Sequence, residues 1–285
     1  MPELPEVEVI CRGLRPIITG RVIRAAALSG KRLRLPIPQA AIDGFAINQQ
    51  ITAVRRRAKY LIIALANGAG LIIHLGMTGK LGVFPREIPP ARHDHLRLRL
   101  DNNMELRLND TRRFGSIQVL APDIDELDFF ADLGPEPLED KLTAAYLLQR
   151  AAKSQRPLKN FLMDSHVVVG IGNIYANEIL FAAGIAPQLP VSQITRPVWQ
   201  NIVQQTREVL ERAIAAGGST ISDFTNASGK PGYFQLQLKV YGRAGQPCPT
   251  CGLAIQKASQ GGRATFWCAN CQMSHRQLVS VTIAS

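Results

Sequence analysis

What the chain lacks narrows its class before any motif is read. No stretch reaches the ~18 uncharged apolar residues of a membrane span, so an integral membrane protein is not expected. The opening octet, MPELPEVE, is acidic and holds two prolines, unlike a secretory signal. Cysteines are few, five in 285 residues. The expectation is a soluble, cytoplasmic protein, where thiols stay reduced and disulfides are not expected. Acids are scarce too: 22 Asp+Glu stand against 33 Lys+Arg, a net charge of +11. Among cytosolic polyanions such an excess points to a nucleic-acid partner, because Lys and Arg neutralising phosphates drive that binding. No basic amphipathic helix with bulky apolar anchors argues for a membrane surface. The hydrophobic share, 46%, is ordinary for a chain with a proper core. The length suits two domains and a small third module.

Residues 5 to 14 carry Val7, Ile10, Cys11 and Leu14 at helical spacing. Pro5 suits the first helical turn, and Glu6 and Glu8 suit the positive end of the helix dipole. That accounts for Glu6 and Glu8 but leaves Glu3 and Pro2, which precede the helix, unexplained. From about 20 to 120 the pattern turns to strands. HLRLRLDNNMELRL alternates about a DNN turn, with Leu96, Leu98, Leu100, Met104, Leu106 and Leu108 on one face and charges on the other. YLIIAL and LIIHLGM read as central strands. DLGPEPLED, 132 to 140, reads as a linker, and 141 to 216 as helical. VVVGIGNIYANE interrupts that region, since each glycine costs ~1 kcal/mol inside a helix. It reads as a tight inter-helix turn able to present backbone N–H groups to an anion. GGSTISDFTNASGKPGYF, 217 to 234, is poor in apolar anchors and reads as a mobile loop or a linker.

The strongest single motif is Cys248, Cys251, Cys268 and Cys271, spaced C-x2-C-x16-C-x2-C. Two such knuckles offer four thiolates to one structural Zn²⁺. No ligand position stays open, so the ion should fold the module and not catalyse. GGRATFW, between the knuckles, would present Arg263 at a hairpin tip. The fifth cysteine, Cys11, sits on the apolar stripe and reads as a packing residue.

Further basic and apolar residues suit a nucleic acid. Arg55 to Arg57 read as an exposed basic edge. Lys59, followed directly by an apolar strand, is suited to proton transfer if partly desolvated. HLGMTG puts Met77 in a turn, and NDTRRFG puts Arg112, Arg113 and Phe114 in a loop. A ring beside two guanidiniums can wedge between bases and read a base edge.

Together these segments resemble the formamidopyrimidine-DNA glycosylases. MPELPEVE, RRRAKYL, HLGMTG, RRFG, LGPEP, VGIGNIYANE, GGST, GKPGYF and the four-cysteine module occur in that family's order along nearly the whole chain. The resemblance implies an α+β multidomain fold. An N-terminal antiparallel β-sandwich with an N-terminal helix (1–133) precedes a helical helix-two-turn-helix domain (134–236, with the 217–234 loop). A C-terminal zinc-finger β-hairpin and tail (237–285) complete it. It implies a bifunctional glycosylase and AP lyase of base excision repair acting on double-stranded DNA that contains oxidised purines. The ion would be one structural Zn²⁺, with no organic cofactor, and the enzyme a monomer.

By that resemblance methionine is removed and Pro2 carries a free secondary amine. The amine attacks the sugar C1′, and the Schiff base it forms leads to β- and then δ-elimination. Glu3 and Lys59 would move protons and Arg263 would grip phosphates beside the lesion. Met77, Arg112 and Phe114 would fill the gap left by the flipped nucleotide, with Arg112 on the orphaned cytosine. His93, Lys159 and Asn173 would bind phosphates, and the 217–234 loop would close over the extruded base. Thr111 stands where a proline is expected, and fourteen residues follow Cys271. The alternatives are an endonuclease VIII-like enzyme for oxidised pyrimidines and a zinc-bearing lesion binder that does not cleave. An unrelated enzyme using an N-terminal proline as base is disfavoured by the basic charge and the zinc hairpin.

Overall fold

The structure is a computed structural model that describes residues 2–218 and 238–272. Met1, most of the 217–234 loop and the tail beyond Gln272 lie outside the described residues. Two compact units divide the chain: Met1–Ala131 with Ala213–Gln235, and Asp132–Arg212 with Leu236–Ser285.

The first unit opens on helix α1, Leu4–Ile18. Its apolar stripe buries Leu4, Val7, Ile10, Cys11, Leu14 and Ile18 completely, each large side chain contributing about 1.5–3 kcal/mol. Burial pushes the Cys11 thiol up to about 12, as befits a packing residue. The strands are β1 (Ile23–Leu28), β2 (Ile51–Arg57), β3 (Tyr60–Leu65), β4 (Gly70–His74), β5 (Gly79–Pro85), β6 (Asp94–Leu100), β7 (Met104–Asp110) and β8 (Ser116–Leu120), with the short helix α2 at Gln39–Phe45. They form two four-stranded sheets, ordered β1-β6-β7-β5 and β2-β3-β4-β8, antiparallel throughout. The expected sandwich and its two central strands, β3 and β4, are both present.

The β6–β7 hairpin pairs Leu96 with Leu108 and Leu98 with Leu106, so the alternating leucines do face the core. The opposite face is not the solvated charged surface the alternation suggests. Arg107 and Glu105 are buried; Arg107 donates to Glu105 and to the carbonyls of Ile88 and Pro89, and lies over the Phe84 ring. The 85–93 segment covers them, and no alternation records that. Likewise Arg56 is no exposed edge: it pairs with Glu8 at 3.1 Å and donates to the Ala58 carbonyl. Arg55 stays exposed and pairs with Glu126 of the short helix α3, Glu126–Phe129.

The second unit holds α4 (Ala144–Ala151), α5 (Leu158–Leu162), α6 (Asn173–Ala182) and α7 (Arg196–Ala215, within this unit as far as Arg212), with the hairpin β9 (Gln256–Gln260) and β10 (Arg263–Trp267). Residues 132–140, expected as a linker, are packed against the connection between α5 and α6. The Gly134 N–H donates to Ser165 O, Pro135 O accepts from Val169, and Glu136 is buried. A Cβ at Gly134 would meet the Val167 carbonyl at 2.6 Å, so glycine is required there by close approach.

Candidate active site and nucleic-acid interface

In the first unit, Pro2 and Glu3 lead directly into α1 and are both buried. The Glu6 carboxylate accepts the Glu3 N–H at 2.8 Å, which fixes the chain as it enters the helix. One turn on, Glu8 pairs with Arg56, whose guanidinium also holds the Ala58 carbonyl. That carbonyl belongs to the β2–β3 turn, where Ala58 has φ +54 and Lys59 is next in line. Thus α1's first turns are braced against the turn that carries Lys59, itself only half-buried.

His74 ends β4 and pairs across the sheet with Tyr60, ring centroids 5.1 Å apart. Its Nδ1 accepts the Gly76 N–H at 3.0 Å. Burial first, then the positive charges of Lys59 and Arg34, hold it down to about 4, so it is neutral at physiological pH. Sequence reasoning passed over His74 because one histidine at a strand end gives no pattern.

Met77 and Phe114 are exposed apolar side chains, 40% and 46%, one in the turn after β4 and the other in the β7–β8 loop. The Arg112 guanidinium lies 4.7 Å from the Phe114 ring centroid, a cation–π contact. His93, half-buried before β6, gives its carbonyl to the Asp110 N–H at 3.0 Å.

In the second unit, α6 begins at Asn173 behind the extended Gly172. The turn ahead of it is the interruption expected from GIGN. Asn173 Oδ1 is buried with no hydrogen-bond partner among the described residues, at the positive end of the helix dipole. Gly261 and Gly262, both with positive φ, form the two-residue turn that joins β9 to β10. Arg263 follows them, exposed at the hairpin tip, beside a cleft of about 320 Å³ shared with Arg156, Asn160 and Asp164.

Lys159, expected at a phosphate, is placed otherwise. It is completely buried, and its ammonium donates to Ala264 O at 2.9 Å and to Thr265 Oγ1 at 2.8 Å. Its ammonium is held by one backbone carbonyl and one side-chain hydroxyl of β10, next to Arg263. Glu178 was missed as well: buried on α6, it accepts the N–H groups of Lys239, Val240 and Tyr241. In sequence a glutamate within a helix looks like a solvated face.

The four cysteines have their sulfurs within 4.8 Å of one another. Cys248 and Cys271 are 3.8 Å apart, and Cys251 and Cys268 are 3.4 Å apart. Sulfurs bound at about 2.3 Å around one Zn²⁺ stand about 3.8 Å apart in a tetrahedron, so this donor set fits the ion. Burial and the crowded thiols push Cys268 and Cys271 up. Cys248, Cys251, Cys268 and Cys271 would hold a divalent cation as four thiolates, and its charge would offset that crowding.

The comparisons follow this geometry segment by segment. Residues 1–117 match the formamidopyrimidine-DNA glycosylase N-terminal domain, 133–225 the H2TH domain of the same enzymes, and 245–272 a zinc finger found in FPG and IleRS. The chain belongs to the formamidopyrimidine-DNA glycosylase family. The enzyme of that name from Acidithiobacillus ferrooxidans is 48% identical over 275 residues, spanning 95% of this chain and all of the relative. The one from Colwellia psychrerythraea is 45% identical, over 95% of this chain and 99% of its own. Among solved structures, MutM (Fpg) of Thermus thermophilus aligns with a TM-score of 0.83 at 37% identity, over 95% of this chain and 98% of that one. Wild-type Lactococcus lactis Fpg, in complex with DNA containing N7-benzyl-Fapy-dG, aligns with a TM-score of 0.88 at 32% identity, over 96% and 100%. Members of the family are glycosylase/AP lyases of base excision repair that act on oxidised purines, and the four-cysteine module here accommodates their one structural zinc.

Proposed function

We propose that this chain removes oxidised purines, 8-oxoguanine and formamidopyrimidines, from duplex DNA and cuts the strand, with Pro2 as nucleophile. The observation that carries this is the N-terminal arrangement. A proline stands at residue 2, directly before a buried glutamate whose backbone is clamped by a second glutamate. With methionine gone, Pro2 is a secondary amine, and an α-amino pKa near ~8 makes its neutral, nucleophilic form accessible near physiological pH as a minority species. It attacks C1′ as the C1′–N bond of the damaged base breaks; the sugar then opens at C1′–O4′, with a proton delivered to O4′, and the C1′–proline nitrogen bond becomes the iminium of a Schiff base. The iminium acidifies the C2′ proton, so β- and then δ-elimination release the two phosphate ends. Glu3, next to the nucleophile, shuttles protons at the sugar. Lys59 assists proton transfer in base loss and elimination.

Met77, Arg112 and Phe114 fill the space of the flipped nucleotide, a role supported by their exposure and by the Arg112–Phe114 stack. Arg263 at the hairpin tip, Asn173 at the start of α6 and His93 contact phosphates; Lys159 serves from behind the hairpin. Cys248, Cys251, Cys268 and Cys271 hold the zinc, which folds the hairpin that carries Arg263. No described helix is long and apolar enough to cross a membrane; a cytoplasmic enzyme working on the nucleoid as a single chain is the matching site of action.

The test is product analysis with 5′-labelled duplexes carrying 8-oxoguanine opposite cytosine or, in parallel, thymine glycol. Release of 8-oxoguanine with a 3′-phosphate end supports the reading. Faster release of thymine glycol would move the chain to pyrimidine repair, and tight binding with no cleavage of either would make it a lesion binder.

A further inference from the structure

We infer that Thr78 and Asp110 are positioning residues that lock the Met77 turn and the Arg112–Phe114 loop into one preformed wedge. The inference rests on the wedge reading above and adds the device that makes it rigid. The Thr78 hydroxyl donates to Asp110 Oδ1 at 2.6 Å and accepts the Arg112 N–H at 3.1 Å. One hydroxyl therefore ties the residue after Met77 to the backbone of the base-reading arginine. The second oxygen of the same carboxylate, Oδ2, accepts the Gly115 N–H at 2.8 Å, directly behind Phe114. Asp110 thus holds both ends of the loop.

Asp110 is itself immobilised. It is fully buried, its N–H donates to His93 O, and its carbonyl accepts from His95 Nε2 at 3.0 Å. Since a carbonyl only accepts, Nε2 carries that proton, and the other ring nitrogen, Nδ1, is hydrogen-bonded with Ser29 Oγ at 2.8 Å. Sterics close the same joint. A Cβ on Gly76 would run into the Phe114 carbonyl and the Gly115 nitrogen. One on Gly115 would meet His74 O at 2.8 Å and Asp110 Oδ2 at 3.0 Å. The two loops are in backbone contact through two glycines and bridged by one carboxylate.

A buried carboxylate is costly to keep unless it is fully hydrogen-bonded, so its presence here calls for a reason. Ordering a loop at the moment of binding costs roughly 1–2 kcal/mol per residue, on top of unstacking the duplex. A wedge braced in advance avoids the first cost. Thr111, in place of proline, leaves this loop without a stiffener of its own and so makes the brace matter more.

The experiment compares zinc-loaded wild type with Thr78→Val, Thr78→Ser and Phe114→Ala in two single-turnover assays. One is excision of 8-oxoguanine opposite cytosine in a duplex; the other is cleavage at a preformed abasic site in single-stranded DNA, which has no gap to fill. Thr78→Val, which removes both the bond to Asp110 and the acceptor of the Arg112 N–H, is expected to slow duplex excision by about ten-fold or more. Thr78→Ser should stay within about two-fold, and both should cleave the single strand at the wild-type rate. If Phe114→Ala slows duplex excision and Thr78→Val does not, the wedge stands and the brace is overturned. Equal losses by Thr78→Val on both substrates would overturn positioning in favour of a general loss of fold. A Phe114→Ala enzyme with unchanged duplex excision would remove the wedge reading itself.

Discussion

Two arginines, Arg112 and Arg263, are presented to solvent by opposite means. Arg112 rides on a sandwich with a large continuous apolar core, and its loop is trimmed by a carboxylate and two glycines. Arg263 rides on a hairpin whose own core is Val240, Ile255 and Phe266 with two cysteines. That is too little apolar area to hold a module. Polar clamps between the hairpin module and the helical segment make up the difference. Lys159 holds Ala264 O and Thr265, Asn177 Oδ1 accepts the Phe266 N–H at 2.7 Å, and Gln272 donates to Ile185 O while accepting the Cys268 N–H. Where the core is large, polar groups only set the final geometry; where it is small, they and a metal create it.

Zinc removal should separate the two regions most sharply. Structural zinc is worth roughly 10–16 kcal/mol in isolated fingers, so a strong chelator should abolish duplex binding while the sandwich keeps its β-sheet circular dichroism. Concurrent loss of the β-signal would erase the contrast. Next comes Lys159→Met, which strips two acceptors of their donor in a buried place. Calorimetry should show a loss of about 2–4 kcal/mol in the second unit. The salt dependence of DNA binding refines the point: a lysine on a phosphate lowers the slope of log K against log salt by about 1, whereas a buried one leaves it unchanged.

A smaller effect belongs to His74, in the sandwich. Its folded value, about 4, lies below the ordinary 6.5, so between those pH values the unfolded chain binds one more proton. The stability it contributes is fully present above pH 6.5 and is lost as pH falls toward 4, by about 1–3 kcal/mol. Chemical denaturation across that window should show the fall, and His74→Gln should flatten it. The smallest expected effect is a gain. Arg113 N–H donates to Asp110 O at 3.3 Å, which makes Thr111 the second residue of a turn. Asp110 before it is in strand conformation, as a residue preceding proline prefers. Thr111→Pro should raise the melting free energy by about 0.4–1 kcal/mol, and a decrease would show that the threonine is needed.

The parts legible in the sequence are those with a period or a fixed spacing. The α1 stripe, the β6–β7 leucines and the four cysteines each repeat at an interval that physics ties to one geometry. The interruption at GIGN was legible because glycine is costly in a helix. What escaped was polar and long-range. The resemblance alone places Lys159 at a phosphate, and its burial was not legible because the Ala264 carbonyl that receives it lies over a hundred residues away. Arg107 looked solvated because nothing in the alternation announces the 85–93 segment above it. Asp110 is an ordinary acid before a loop until Thr78 and Gly115 are brought to it. Buried hydrogen bonds between distant segments have no sequence period, and in this chain they position the residues proposed to act on DNA.

The most direct test of the account is where the covalent bond forms. Zinc-loaded enzyme is incubated with duplex DNA containing 8-oxoguanine opposite cytosine, reduced with borohydride, digested and mapped by mass spectrometry. The account predicts a single DNA adduct on the nitrogen of residue 2, with methionine absent. An adduct on Lys59, or none from protein that binds the duplex, would contradict it.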